Sequence, residues 1–199
     1  AAPTFYRLSH ETGKIGSDNP DSFYQNAAIS GEYEYRLSGT RGTVPYLGFG
    51  TYYGQYGSKA RSGCSGYLES GDLNIDADGR FEITLSCKKQ PGNWLPMEPD
   101  TSMLIARQNF LDRKTEKLAE LHIERIGAAG PPAPLSPVKF EQGLLDAARF
   151  VVGTATLFAN WAEGFASNEL RPMDPAITGG AHGDPNIFYY MGYWQLAPD

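Results

Sequence analysis

The sequence predicts a mainly β, single-domain protein with one long amphipathic helix near its C-terminal end, and three observations carry that prediction. Aromatic side chains make up 13% of the 199 residues, and 23 Gly and 14 Pro are spread among them. That mixture favours short strands joined by tight turns. Several short segments alternate apolar and polar residues with the two-residue period of a half-buried strand. One late segment carries the 3.6-residue period of a helix instead.

In chain order, residues 23–29, 33–37 and 44–52 read as three strands, punctuated by Ser30-Gly31 and by the segment from Gly39 to Gly42. Their succession suggests a meander. A Gly/Ser-rich stretch, 54–66, has no apolar periodicity and reads as a surface loop. Asp78-Gly79 then stands between apolar segments, with Leu73 and Ile75 before it and Phe81, Ile83 and Leu85 alternating after it, the pattern of a β-hairpin. Pro91-Gly92-Asn93-Trp94-Leu95-Pro96 reads as a connection, 102–110 and 121–126 as two further strands, and 112–118 as a helical turn or two between them.

Three prolines and two glycines between Gly127 and Pro134 break every periodic pattern. Ser136-Pro137 follows as a helix start, Ser serving as N-cap and Pro occupying the first helical position. Phe140, Leu144, Val151, Phe158 and Phe165 recur at helical spacing, so one helix over about 137–166 is expected, its apolar face buried against a sheet. Gly143 and Gly153 cost that helix roughly 1 kcal/mol each relative to Ala.

Charge narrows the partners. The net charge is −6, and Lys and Arg are scattered, so no basic stripe is present to neutralise phosphates and nucleic acid is not an expected partner. The longest apolar runs fall well short of the roughly 18 residues of a membrane-spanning helix. Cys64 and Cys87 stand alone, without the CxxC or His spacing of a tetrahedral metal site, and no metal or other cofactor is expected. Two buried free thiols are the plainer reading. Pairing in an exported chain stays open, because the sequence begins Ala-Ala-Pro without an initiator Met, and the compartment is left unassigned.

Asn19-Pro20-Asp21-Ser22-Phe23-Tyr24 returns late in the chain as Asp184-Pro185-Asn186-Ile187-Phe188-Tyr189. Each copy reads as an Asx-Pro turn leading into an aromatic strand. The expected organisation is therefore a first β unit over 19–126, the helix over 137–166, and the start of a second β unit over 184–199. The whole 1–199 then reads as a fragment of a longer protein whose last sheet is completed by another polypeptide segment or subunit. The alternative is coincidence in a Tyr-rich sequence, the last strand closing the first sheet.

Three groups of residues are candidates for chemistry. Asp72, Asn74, Asp76 and Asp78 space oxygen ligands like a calcium loop, but position twelve falls on Leu85 where a bidentate Glu is required, and strand alternation explains them better. The Gly-rich loop around His182 presents an imidazole and the Asp184 carboxylate, which fit a general base and its orienting partner. No nucleophile-elbow spacing accompanies them, and a turn cap before the final strand is the plainer reading of both residues. His10 and His122 are weaker candidates, the latter facing outward from a strand. Tyr52, Tyr53, Tyr56 and Tyr67 flank the other Gly-rich loop and, with Trp94, suit a platform for an aromatic or sugar-like ligand, although core packing explains most of them. A small-molecule binding or assembly module is thus the expectation. A hydrolase or lyase using His182 and Asp184 is the alternative, and whether the protein is an enzyme stays open.

Several segments taken together resemble a bacterial family, the domain of unknown function numbered twelve-fourteen. They are Asp18-Asn19-Pro20-Asp21, Tyr35-Arg36-Leu37-Ser38-Gly39 with Arg41-Gly42, Asp76 to Ile83, Pro91 to Pro96, Arg107-Gln108, and Tyr193 to Asp199. The resemblance implies a jelly-roll-like antiparallel β-sandwich with helical additions, in proteins longer at both ends. It implies no established activity and transfers no catalytic residue.

Overall fold

A computed structural model describes residues 2–16, 18–54, 61–128, 130, 134–166, 170–172, 183–194 and 196–197. Two compact units partition the chain, the first comprising Ala1–Tyr53 and Cys64–Ala133, the second Gly54–Gly63 and Pro134–Asp199.

The first unit is a β-sandwich. Its strands are β1 (Ser22–Ala28), β2 (Tyr35–Thr40), β3 (Tyr46–Tyr53), β4 (Gly63–Glu69), β5 (Arg80–Ser86), β6 (Trp94–Pro96), β7 (Thr101–Asn109) and β8 (Glu120–Arg125). Sheet A has the order β1-β7-β3-β4 and sheet B the order β6-β5-β2-β8. Alternation sends Leu47, Phe49, Leu104 and Ala106 inward from sheet A, and Leu37, Ile83, Leu85 and Ile123 inward from sheet B, into one buried core. Phe49 and Phe81 meet across that core with ring centroids 5.9 Å apart. A fully buried Gln108 fastens the 119 backbone, its Oε1 accepting from Ala119 N at 2.7 Å and its Nε2 donating to Ala119 O at 3.3 Å.

Several sequence expectations are corrected here. The first three strands are not a meander, because β1 and β3 flank β7 in sheet A while β2 belongs to sheet B. Alternation identifies which side chains face the core but not which strand lies alongside, and crossing between sheets lets both apolar faces be buried together. The Gly/Ser-rich stretch yields strand β4 from Gly63 onward, and the Pro91–Pro96 connection contains β6, which pairs in parallel with β5. Both cysteines are free and exposed, at the strand margins rather than in the core.

The Asp78-Gly79 turn forms as expected, with Gly79 at φ +79° and Asp76 Oδ1 accepting from Asp78 N at 2.9 Å and Arg80 N at 2.7 Å. Phe81, Ile83 and Leu85 after it are buried while Glu82 is exposed. Leu73 and Ile75, however, make no paired strand, and β5 runs antiparallel to β2 instead. The Asn93 side chain explains why. Its Oδ1 accepts from Asn74 N at 2.8 Å and its Nδ2 donates to Asn74 O at 2.9 Å, occupying the backbone groups a hairpin partner would have used.

The second unit contains the helix α1 (Pro137–Phe165) and the short antiparallel pair β9 (Arg171–Pro172) and β10 (Tyr190–Met191). Ser136 caps the helix, its Oγ accepting from Lys139 N at 3.2 Å, with Pro137 in the first turn as its fixed φ permits. The expected burial of its apolar face is not found: Phe140, Leu144 and Val151 are 55%, 58% and 66% exposed. Periodicity places these residues on one face but does not supply the surface that covers it. Only Trp161 is buried, packed edge-on against Phe158 and Phe165 at 5.0 and 6.2 Å.

Candidate functional site

Strand β3 reads Tyr46-Leu47-Gly48-Phe49-Gly50-Thr51-Tyr52, so the residues that alternate with the inward Leu47 and Phe49 are Tyr46, Gly48, Gly50 and Tyr52. The outer face of sheet A therefore carries two glycines between two tyrosines. A Cβ at Gly50 would overlap the Tyr52 ring, and one at Gly48 would overlap the Tyr67 hydroxyl and press on that of Tyr46. Glycine thus leaves room for aromatic rings to lie flat on the strand.

Arg107 stands opposite Gly48 on β7 and is buried. Its Nη1 donates to the Tyr52 hydroxyl at 2.6 Å, and its guanidinium lies 5.4 Å from the centre of the Tyr52 ring. A buried cation requires such company, and a phenol supplies both an acceptor and a π face. The Tyr46 and Tyr67 hydroxyls share a hydrogen bond beside it.

Of the residues singled out in the sequence, Tyr52 and Tyr67 come together on this face. Tyr52 is fully buried and Tyr67 half-buried. Tyr53, also half-buried, sits where the β3–β7 register shifts. Trp94 belongs to the other sheet, its Nε1 donating to Ser86 Oγ at 3.0 Å and Ser86 O at 3.3 Å. Tyr56 and His182 lie outside the described residues. Asp184 is buried, and its Oδ1 accepts from Asn186 N at 2.9 Å, the bond of an Asx turn. Sequence reasoning missed Tyr46 and Arg107. The signal for them was the alternation of glycine with large residues in β3, which marks a strand approached closely by something flat.

Arg107 and Tyr52 satisfy each other inside this layer, and the half-buried Tyr46, Tyr53 and Tyr67 form its accessible margin. Fold and face together define a mainly β protein, a two-sheet sandwich with a tyrosine–arginine outer layer. Among solved structures, the chain is similar to an uncharacterised protein from Burkholderia cenocepacia, with 49% identity and a TM-score of 0.93 over 99% of this chain and 55% of that one. The chain spans about 55% of the length of that relative. The VPA0106 protein from Vibrio parahaemolyticus aligns at 17% identity and a TM-score of 0.38, over 53% of this chain and 31% of that one. No family model matches the chain, and no curated protein does.

Proposed function

We propose that this chain is a binding or assembly module of the bacterial family numbered twelve-fourteen, with a jelly-roll-like strand course. Eight strands in two four-stranded sheets, with five of the seven successive connections crossing between sheets, support the fold part of that reading.

The assembly part is carried by one observation, the repetition of the Asn19 turn at Asp184. In the first copy Asp21 N donates to Asn19 Oδ1 at 2.8 Å and Ser22 N to Asn19 O at 3.0 Å. In the second, Asn186 N donates to Asp184 Oδ1 at 2.9 Å and Ile187 N to Asp184 O at 3.1 Å. The first turn delivers a seven-residue strand that pairs along its whole length with β7. The second delivers Phe188 and Trp194, 86% and 77% exposed, and a two-residue pairing. Exposed aromatics following a strand-opening turn fit a sheet completed by another polypeptide segment or subunit. A small organic ligand against the Tyr53 and Tyr67 margin of the tyrosine face is the companion reading, supported by the guanidinium held among the rings.

Light scattering and iodide quenching over a concentration series test the assembly reading, with Trp194→Phe isolating the signal of that residue. Association that protects Trp194 is the expected result. A chain that remains monomeric with Trp194 fully quenched at every concentration overturns it. The hydrolase or lyase alternative assigns Asp184 to orienting His182, and the bond from Asn186 N to that carboxylate favours the turn-forming role.

A further inference from the structure

Helix α1 carries an apolar stripe that stays exposed. Phe140, Leu144, Ala148, Val151, Ala155 and Ala159 follow one another at steps of four, four, three, four and four residues, which keeps them on one side of the helix. All six are exposed, and Phe140, Leu144 and Val151 are each more than half so. Between Leu144 and Ala159 the stripe holds no charged side chain. Asp146 and Arg149 lie off it and bond to one another at 3.0 Å. Contiguous apolar surface of this kind on a water-facing helix marks an interface.

The spacing reads the same in both directions, but the side-chain sizes do not. Phe140 and Leu144 stand toward the N-terminal end, Ala155 and Ala159 toward the C-terminal end. A second copy laid antiparallel, about a two-fold axis between Ala148 and Val151, therefore sets its Ala159 against Phe140, its Ala155 against Leu144 and its Val151 against Ala148. Each large side chain meets a small one, the condition for filling a helix interface without voids or overlap. A parallel pair would set phenylalanine on phenylalanine and alanine on alanine, crowding one end and hollowing the other.

We propose that α1 pairs antiparallel with α1 of a second copy of this chain through this stripe. The contact is isologous, so it closes as a dimer. One helix pair of this length buries less than the roughly 1,200 Å² at which stable complexes begin, so the dilute chain is monomeric and the dimer forms as concentration rises. Substitutions on the stripe thus act on association and leave the unfolding of the dilute chain nearly unchanged. The pairing is independent of the late Asp184 turn and of what completes the sheet after it.

Sedimentation equilibrium from micromolar to millimolar chain, with Ala155→Glu beside the parent, tests the pairing. The parent is expected to associate. Ala155→Glu, which sets a carboxylate against Leu144 of the second copy, should weaken association about tenfold or more while the exposed position keeps the fold. Disulfide mapping reads the register. With the exposed thiols removed by Cys64→Ser and Cys87→Ser, a Leu144→Cys chain is mixed with an Ala155→Cys chain. The mixed product is expected to dominate, because two copies of position 144 lie about 16 Å apart along the helix axis, beyond disulfide reach. A parent that is monomeric at every concentration, or dominance of like-with-like products, overturns the proposal. Association that Ala155→Glu leaves intact overturns it too, and protection of Trp194 from iodide in that case upholds the separate reading of the late turn. Association lost in Ala155→Glu, with Trp194 quenched throughout in the parent, upholds the helix pair and overturns that other reading.

Discussion

Asn19 and Asp184 make the same turn: each accepts, through its side-chain oxygen, the amide two residues on and, through its carbonyl, the amide three residues on. Asn19 is followed by a seven-residue paired strand, Asp184 by a two-residue one. The two turns should therefore respond differently to the same substitution. Asn19→Ala removes a net contribution of about 0.5–1.5 kcal/mol from the sandwich. Asp184→Ala should leave denaturant unfolding of the sandwich unchanged and speed amide exchange at Asn186 and Ile187. Equal losses in unfolding free energy for the two variants would show that the late turn supports the sandwich as the early one does.

Gly50 is the position where the tyrosine face is most sensitive. An added methyl group meets the Tyr52 ring, which must move and give up the Arg107 hydrogen bond. Gly50→Ala should cost about 1–3 kcal/mol through overpacking. Tyr52→Phe tests the other side of the contact, keeping the ring but removing the acceptor. If chemical denaturation finds Gly50→Ala as stable as the parent, the ring does not lie on the strand.

Core and helix should separate sharply in a substitution series. Phe49, with no exposed surface and in contact with Phe81, should lose about 3–5 kcal/mol on Phe49→Ala, since both transfer energy and a cavity are involved. Leu144→Ser, on the exposed part of α1, should change stability by no more than about 0.5 kcal/mol. A loss of several kcal/mol at Leu144 would show that its face is covered in solution.

Tyr35 gives a pH dependence with a defined sign. Burial raises its phenol pKa above the ordinary value, outweighing the Ser30 amide that donates to its hydroxyl at 2.8 Å and the field of Arg125, both of which lower it. A raised folded value means the fold favours the protonated form. The associated stability is complete below about pH 10, the unfolded value, and is lost as pH rises through the higher folded value. Tyr35→Phe should flatten the alkaline limb of the stability curve between those two points. An alkaline limb identical to that of the parent would assign the effect to other tyrosines.

By itself the sequence determined the local pieces whose causes are local. Asp78-Gly79 specified its turn because the Asp76 carboxylate and a left-handed glycine lie within four residues of one another. Ser136-Pro137 specified the helix start because cap and first turn are contiguous. Alternation in 81–85 marked the core face because strand geometry alone fixes it. Tertiary structure decided everything that depends on which element lies next to which. It placed β2 in a different sheet from β1 and β3, gave Asn93 the backbone groups that would have closed a hairpin, and put Arg107 across from Gly48. It also left Phe140, Leu144 and Val151 exposed. Periodicity is a property of one segment, whereas pairing and burial are relations between segments, settled by the free energy of enclosing all the apolar faces together.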